Sequence, residues 1–107
     1  METNFKEYAQ IFKVLSDPTR LKILNRICGC ECDKCAQNIL VELNITQPTL
    51  SYHLKLLEEV GLITSTKNKN SKFYSINEKG FKELEEFFKV VRSKPYNCDN
   101  CNKKELD

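Results

Sequence analysis

The sequence predicts a mainly α fold carrying one small β-hairpin, in the order α-α-α-α-β-β-α. Three observations predict it. Apolar residues recur at helical spacing in four segments before Gly61. Two short strand patterns follow, separated by the polar turn Lys67-Asn68-Lys69-Asn70-Ser71. A last amphipathic stretch, residues 78 to 92, then carries more apolar surface than one small core can cover.

Each element has its own signal. Phe5, Tyr8, Phe12 and Leu15, widened by Ile11, predict a helix over residues 3 to 16. Ser16-Asp17-Pro18 stops it, with Asp17 suited to cap a second helix and Pro18 to its first position. That helix runs to about Ile27, with Leu21, Ile23, Leu24 and Ile27 facing inward. Gly29 marks a turn inside a cysteine-rich segment. A third helix starts near Cys32 or Asp33 and buries Ala36, Ile39, Leu40 and Leu43. Asn44-Ile45 is a tight connection. Thr46 caps a fourth helix whose stripe is Leu50, Leu54, Leu57 and Val60, and Gly61 ends it. Strands are expected over 62 to 66 and 72 to 76. Asn77 then caps a helix with Phe81, Leu84, Phe88 and Val91 on one face and Phe87 and Val90 beside it. Two helices joined by a few residues and followed by a hairpin make a winged helix-turn-helix.

The 107 residues fit one domain, residues 1–92, with a polar tail over 93–107. A content of 40% hydrophobic and 30% charged residues marks a globular chain. A monomer this size buries only about two-thirds of its unfolded surface, so a second copy would help. The net charge of +2 does not by itself indicate nucleic acid; the clustering of lysines must do so. The first residues have neither the basic nor the apolar region of a signal peptide, and no apolar run reaches membrane-span length. A cytoplasmic protein without a membrane partner is expected. Thiols stay reduced there, so four of six cysteines crowded between Cys28 and Cys35 read as metal ligands or redox sensors.

With Leu50 and Leu54 in the core, Gln47, Thr49, Ser51, Tyr52, His53 and Lys55 lie near the start and outer face of the fourth helix. A recognition helix sets such groups against base edges and phosphates of double-stranded DNA. Gln47 suits adenine, Ser51 and Thr49 hydrogen-bond flexibly, and Lys55 suits phosphate. Lys67, Lys69 and Lys72 of the hairpin suit the flanking backbone. Singly, each residue reads as solvated surface; together and in this order they favour DNA. His53, the only histidine, is expected to face DNA or hold structure rather than bind metal, because no cysteine is its helical neighbour.

Asp17-Pro18-Thr19-Arg20-Leu21-Lys22-Ile23-Leu24 resembles the opening motif of ArsR-type (ArsR/SmtB family) metal-responsive repressors. Residues 45–57, Ile45-Thr46-Gln47-Pro48-Thr49-Leu50-Ser51-Tyr52-His53-Leu54-Lys55-Leu56-Leu57, resemble their recognition helix. Val60-Gly61-Leu62-Ile63 resembles the entry to their wing. The resemblance extends over about residues 5 to 92. It implies a homodimer, joined through the first and last helices, that represses transcription from operator DNA and leaves it on binding an effector. The surplus apolar face over 78 to 92 agrees with that interface.

Cys30-Glu31-Cys32-Asp33-Lys34-Cys35 is similar to the C-x-C-D-x-C of arsenic-sensing members. The resemblance implies that Cys30, Cys32 and Cys35 bind As(III) or Sb(III) through three sulfurs, with no organic cofactor. The chemistry agrees, since soft thiolates select thiophilic ions whereas zinc prefers four ligands. Residues two apart on a helix point about 200° away from each other. Cys30 and Cys32 therefore cannot meet one ion on a regular helix, and binding all three requires an unwound start to the third helix.

Two features depart from the family pattern. Cys28 is either a fourth ligand or, by preference, a small buried residue ending the second helix. Cys98 and Cys101 form a C-x-x-C pair suited to a second site, or to a four-thiolate site for Cd, Pb or Zn shared with the triplet or Cys28. The chain lacks the N-terminal cysteines of cadmium-sensing relatives and the His/Asp-rich last helix of zinc-sensing ones, which favours the metalloid. A thiol-redox or persulfide switch and a structural zinc module that binds protein are the other readings. With one histidine and no triad, no enzyme is expected.

Overall fold

The computed structural model describes residues 4–27, 33–68 and 71–93, with side chains described outside 33–36, 68 and 71. The helices are α1 (Phe5–Leu15), α2 (Pro18–Arg26), α3 (Asp33–Leu43), α4 (Gln47–Glu59) and α5 (Glu78–Ser93). Strands β1 (Ile63–Asn68) and β2 (Ser71–Ile76) pair antiparallel between α4 and α5. The predicted order is therefore observed. The strands are longer than expected because the ladder continues through Lys67↔Lys72 to Asn68↔Ser71, using residues assigned to the turn.

The helix ends show why the chain bends where it does. The Asn4 side chain accepts the Glu7 N–H at 3.2 Å, and Asp17 accepts the Thr19 N–H at 2.7 Å with Pro18 in the first turn of α2. α3 and α4 both end in a left-handed residue. Asn44 has φ 53° and Gly61 has φ 82°. After α3, Ile45 N–H donates to Leu40 O and Asn44 N–H to Val41 O, at 3.2 and 3.3 Å. After α4, Leu62 N–H donates to Leu57 O and Gly61 N–H to Glu58 O, at 3.1 and 3.0 Å. Both are Schellman closures, which satisfy the last carbonyls of a helix and turn the chain sharply.

One expected cap differs. Thr46 stands at the N-cap of α4 in extended backbone but makes no side-chain cap bond; its hydroxyl donates to Thr49 Oγ1 at 3.0 Å instead. Asn77 precedes α5, its carbonyl accepts the Phe81 N–H at 3.2 Å, and its side-chain amide donates to Gly61 O at 2.8 Å. Its N–H donates to Leu62 O at 2.9 Å. Asn77 thereby ties the start of α5 to the turn that leaves α4.

The core unites Val14, Ile23, Ile39, Leu50, Leu54, Leu57, Leu62 and Ile63 from every element except β2 and α5, with Tyr74, Ile76 and Phe81 packed against it. α2 packs on α1, α3 and α4. Its stripe is narrower than expected: Ile23 is fully buried, but Leu21 is 49% exposed. α5 meets α1 through rings, Tyr8 to Phe87 at 4.7 Å and Phe12 to Phe87 and Phe88 at 5.7 Å. Phe5, Phe88, Val90 and Val91 remain exposed along these two helices. Among the described residues, no helix is long and apolar enough to cross a membrane.

Candidate nucleic-acid interface

α4 divides cleanly. Leu50, Leu54 and Leu57 point into the core, while Gln47, Thr49, Ser51, Tyr52 and Lys55 are exposed. The division follows from the 3.6-residue period acting on an apolar stripe at 50, 54 and 57. The outer groups touch one another only loosely: Gln47 Nε2 donates to Ser51 Oγ at 3.4 Å. They present donors and acceptors to solvent along the first two turns. The hairpin starts a few residues beyond. Ser65 Oγ donates to Glu58 Oε2 at 2.7 Å, fixing β1 to α4. Glu58 thus sets the wing relative to the helix. Lys67 and Lys72 face each other directly across the ladder, both exposed. Lys69 lies outside the described residues.

His53 corrects the expectation that it contacts DNA. It is 8% exposed and lies on the inner side of α4. Arg20 Nε donates to its Nδ1 at 3.1 Å, so of the two expected roles the structure supports the structural one. Arg20 also donates from Nη1 to Val14 O at 3.1 Å and stands 3.8 Å from Asp17 Oδ2. Its guanidinium lies 5.9 Å from the centre of the Tyr52 ring. Burial pushes the His53 pKa down, the Asp17 carboxylate pulls it up and the Arg20 charge pushes it down; the net is below the ordinary 6.5. For Asp17, burial raises the pKa, but the Thr19 N–H and the Arg20 charge outweigh it and hold the carboxyl below 3.8. The sequence offered one signal for Arg20: a cation three residues after a capping aspartate.

The cysteines stand differently. Cys28, Cys30, Cys32, Cys98 and Cys101 lie outside the described residues, as does the side chain of Cys35, whose backbone falls in the first turn of α3. Among the described residues no three or more His, Cys, Asp or Glu side chains are grouped to hold a metal ion. α2 ends at Arg26, and Ile27 is extended at φ −67°, ψ 122°.

Comparison with known proteins agrees with this geometry. Residues 17–65 match the bacterial regulatory protein, arsR family. An arsenical resistance operon repressor of Staphylococcus xylosus is 35% identical over 96 residues, covering 89% of each chain. A cadmium resistance transcriptional regulatory protein CadC homolog of Staphylococcus aureus is 31% identical over 83 residues, covering 78% of this chain and 68% of that protein. The fold is also that of a homodimeric winged helix-turn-helix DNA-binding domain from Mycobacterium bovis, described as a possible ArsR-family transcriptional regulator. That likeness has a TM-score of 0.62 at 19% identity and covers 95% and 99% of the two chains.

Proposed function

The chain belongs to the arsR family of bacterial regulatory proteins, and from that premise we propose that it is a cytoplasmic transcriptional repressor whose operator complex is released by As(III) or Sb(III). The observation that carries the DNA half is the pairing of an exposed polar helix start with Lys67 opposite Lys72. Like charges opposite each other on a hairpin destabilise it by up to about 1 kcal/mol. A phosphate between them reverses the sign. Gln47, Thr49, Ser51, Tyr52 and Lys55 read the major groove, and Lys67, Lys69 and Lys72 hold the backbone. Two copies join through α1 and α5, covering Phe5, Phe88, Val90 and Val91, and present two α4 helices to one duplex.

Cys30, Cys32 and Cys35 supply the effector site on the cysteine pattern, supported by the likeness to an arsenical resistance repressor. Of the triplet, Cys35 falls in the first described turn of α3. Gathering three sulfurs on one ion acts at the junction of α2 and α3, both of which share the core with α4. An ion that binds the DNA-free state better weakens DNA binding by the same coupling free energy, about 1–3 kcal/mol.

The test is a release titration from DNA under reducing conditions with arsenite, antimonite, cadmium, lead and zinc. Arsenite and antimonite release the native protein and spare Cys32→Ser. Normal release of Cys32→Ser by arsenite refutes the triplet. The likeness to a cadmium resistance regulator favours a second reading, in which Cys98 and Cys101 complete a four-thiolate Cd, Pb or Zn site. Loss of a cadmium response when both become serine, with arsenite release kept, supports it.

A further inference from the structure

We propose that Arg20 and His53 form a proton-sensitive latch that positions α4 for DNA: closed when the imidazole is neutral, open when it is protonated. The inference rests on the DNA-binding reading above. Its basis is the chemistry of one hydrogen bond. Arg20 Nε lies 3.1 Å from His53 Nδ1. A guanidinium nitrogen only donates, so Nδ1 must be the bare nitrogen and the ring proton must sit on Nε2. The geometry thereby selects both the charge state and the tautomer.

Arg20 is suited to a strut. Its side chain is 13% exposed. Nη1 bonds the Val14 carbonyl at 3.1 Å, closing on the last turns of α1, and Nη2 stands 3.8 Å from Asp17. One guanidinium so joins α1, the start of α2 and the middle of α4. Tyr52, 57% exposed on the reading face, lies with its ring 5.9 Å from the same guanidinium and 5.6 Å from the imidazole. A displaced Arg20 therefore reaches the DNA-facing surface through the neighbouring ring.

A proton on Nδ1 removes the acceptor and leaves two cations 3.1 Å apart. The charged groups acting on His53 are Asp17 and Arg20, both from the start of α2. α1 contributes the neutral Val14 carbonyl, and α4 itself contributes Tyr52. Asp17 is the only carboxylate among them, and it already accepts from the Thr19 N–H at 2.7 Å. Its attraction for a charged ring exceeds the Arg20 repulsion but does not offset the cost of burying that charge. Opening the latch is the remaining outcome, and α4 loses its polar tie to α1 and α2.

The latch reverses the ordinary sign of a histidine beside DNA. Added positive charge normally strengthens binding to phosphate. Here protonation weakens it. The experiment measures affinity by fluorescence anisotropy at constant salt between about pH 8 and about pH 5, using a fluorescein-labelled duplex selected by the native protein from a random library at neutral pH. Binding of the native protein weakens about tenfold on acidification. His53→Asn, whose carbonyl oxygen replaces Nδ1 as an acceptor that does not titrate, keeps its affinity across the range. Imidazole nitrogen NMR on the native protein needs no variant, because His53 is the only histidine. It shows the proton on Nε2 at neutral pH and a protonation midpoint that coincides with the loss of affinity. Affinity that ignores pH, rises on acidification or falls equally in His53→Asn overturns the latch and leaves the DNA reading standing. A neutral-pH proton on Nδ1 overturns it too. Failure of the native protein to select any duplex overturns the DNA reading, and the latch with it.

Discussion

Replacing Gly80 by alanine sets two effects of opposite sign against each other. In a helix the exchange gains up to about 1 kcal/mol, since glycine loses more backbone freedom on folding. At Gly80, in the first turn of α5, an added Cβ would stand 2.0 Å from the Gly61 carbonyl oxygen and 3.0 Å from its carbon. The obstacle is backbone, pinned by the Schellman bonds that close α4. Ordinary contact begins near 3.4 Å, so α5 and the turn must part by more than an ångström. That separation breaks the bonds from Asn77 Nδ2 to Gly61 O and from Asn77 N–H to Leu62 O. Each is worth about 1 kcal/mol, and an unsatisfied half-buried group adds about 1 kcal/mol more. After subtracting the propensity gain, Gly80→Ala destabilises by about 2 kcal/mol, or about 10 °C in Tm for a domain this size. Urea and thermal unfolding at one fixed protein concentration measure it, because the proposed dimer would make Tm concentration-dependent. Gly61→Ala is the control. Nothing lies within 4 Å of its Cβ, so its cost of about 1 kcal/mol comes from φ +82° alone. Gly80→Ala as stable as the native protein, or more so, refutes the packing of α5 on this turn.

Three further outcomes follow from the same geometry. Asp17→Ala removes the N-cap of α2 and the carboxylate beside Arg20, and lowers stability by about 1 kcal/mol in urea unfolding at neutral pH; no change refutes the cap. Lys67→Ala and Lys72→Ala each reduce the slope of log affinity against log salt by about one while leaving stability unchanged or slightly raised; an unaltered slope removes the hairpin from the DNA interface. Stability falls with pH in two separate windows. Unfolded His53 takes up a proton near 6.5 and the folded residue only at lower pH, so stability drops as pH falls from 6.5 and the loss is complete below the folded value. Asp17 has its window below 3.8. Urea midpoints that stay level from about pH 7 to about pH 5 refute the neutral buried histidine.

Much of the fold is legible in the chain because local signals agree with global packing. The stripes at 50, 54 and 57, Asp17 before Pro18 and Gly61 after α4 each specify a single local geometry, and each is observed. What is not legible depends on partners distant in sequence. The burial of His53 is decided by Arg20, 33 residues away, which no helical period can reveal. Asn77 has the composition of a cap, but the bond from its amide nitrogen to Gly61, 16 residues earlier, has no local signal. Leu21 fits the apolar period of α2 as well as Ile23 does, yet it is 49% exposed while Ile23 is fully buried, a difference set by where α1, α3 and α4 pack. For the cysteine triplet, only the start of α3 and the end of α2 are on view, so the effector site rests on the sequence pattern and the likeness to relatives.

The placement of α2 changes how an effector would act on DNA. From the sequence, α3 is the natural lever, since its start carries the cysteines and it precedes the reading helix. In the structure, α2 packs on both α3 and α4 and makes the polar tie to α4 as well. Its C-terminal turn leads into the cysteine segment, and its first turn holds Arg20. Those two ends lie about 10 Å apart along the helix axis. A helix is stiff over that distance, so a pull at Ile27 is delivered at Arg20 rather than absorbed between them. On the proposed reading, effector binding and protonation then act on one bistable contact from opposite sides. Linkage makes a distinct demand of such a contact: whatever opens it for one must lower the cost of opening it for the other. Arsenite should therefore release the native protein at lower concentration at about pH 5.5 than at about pH 7.5, and His53→Asn should abolish that difference while still responding to arsenite. A pH-independent release midpoint in the native protein would place the transmission in α3 alone.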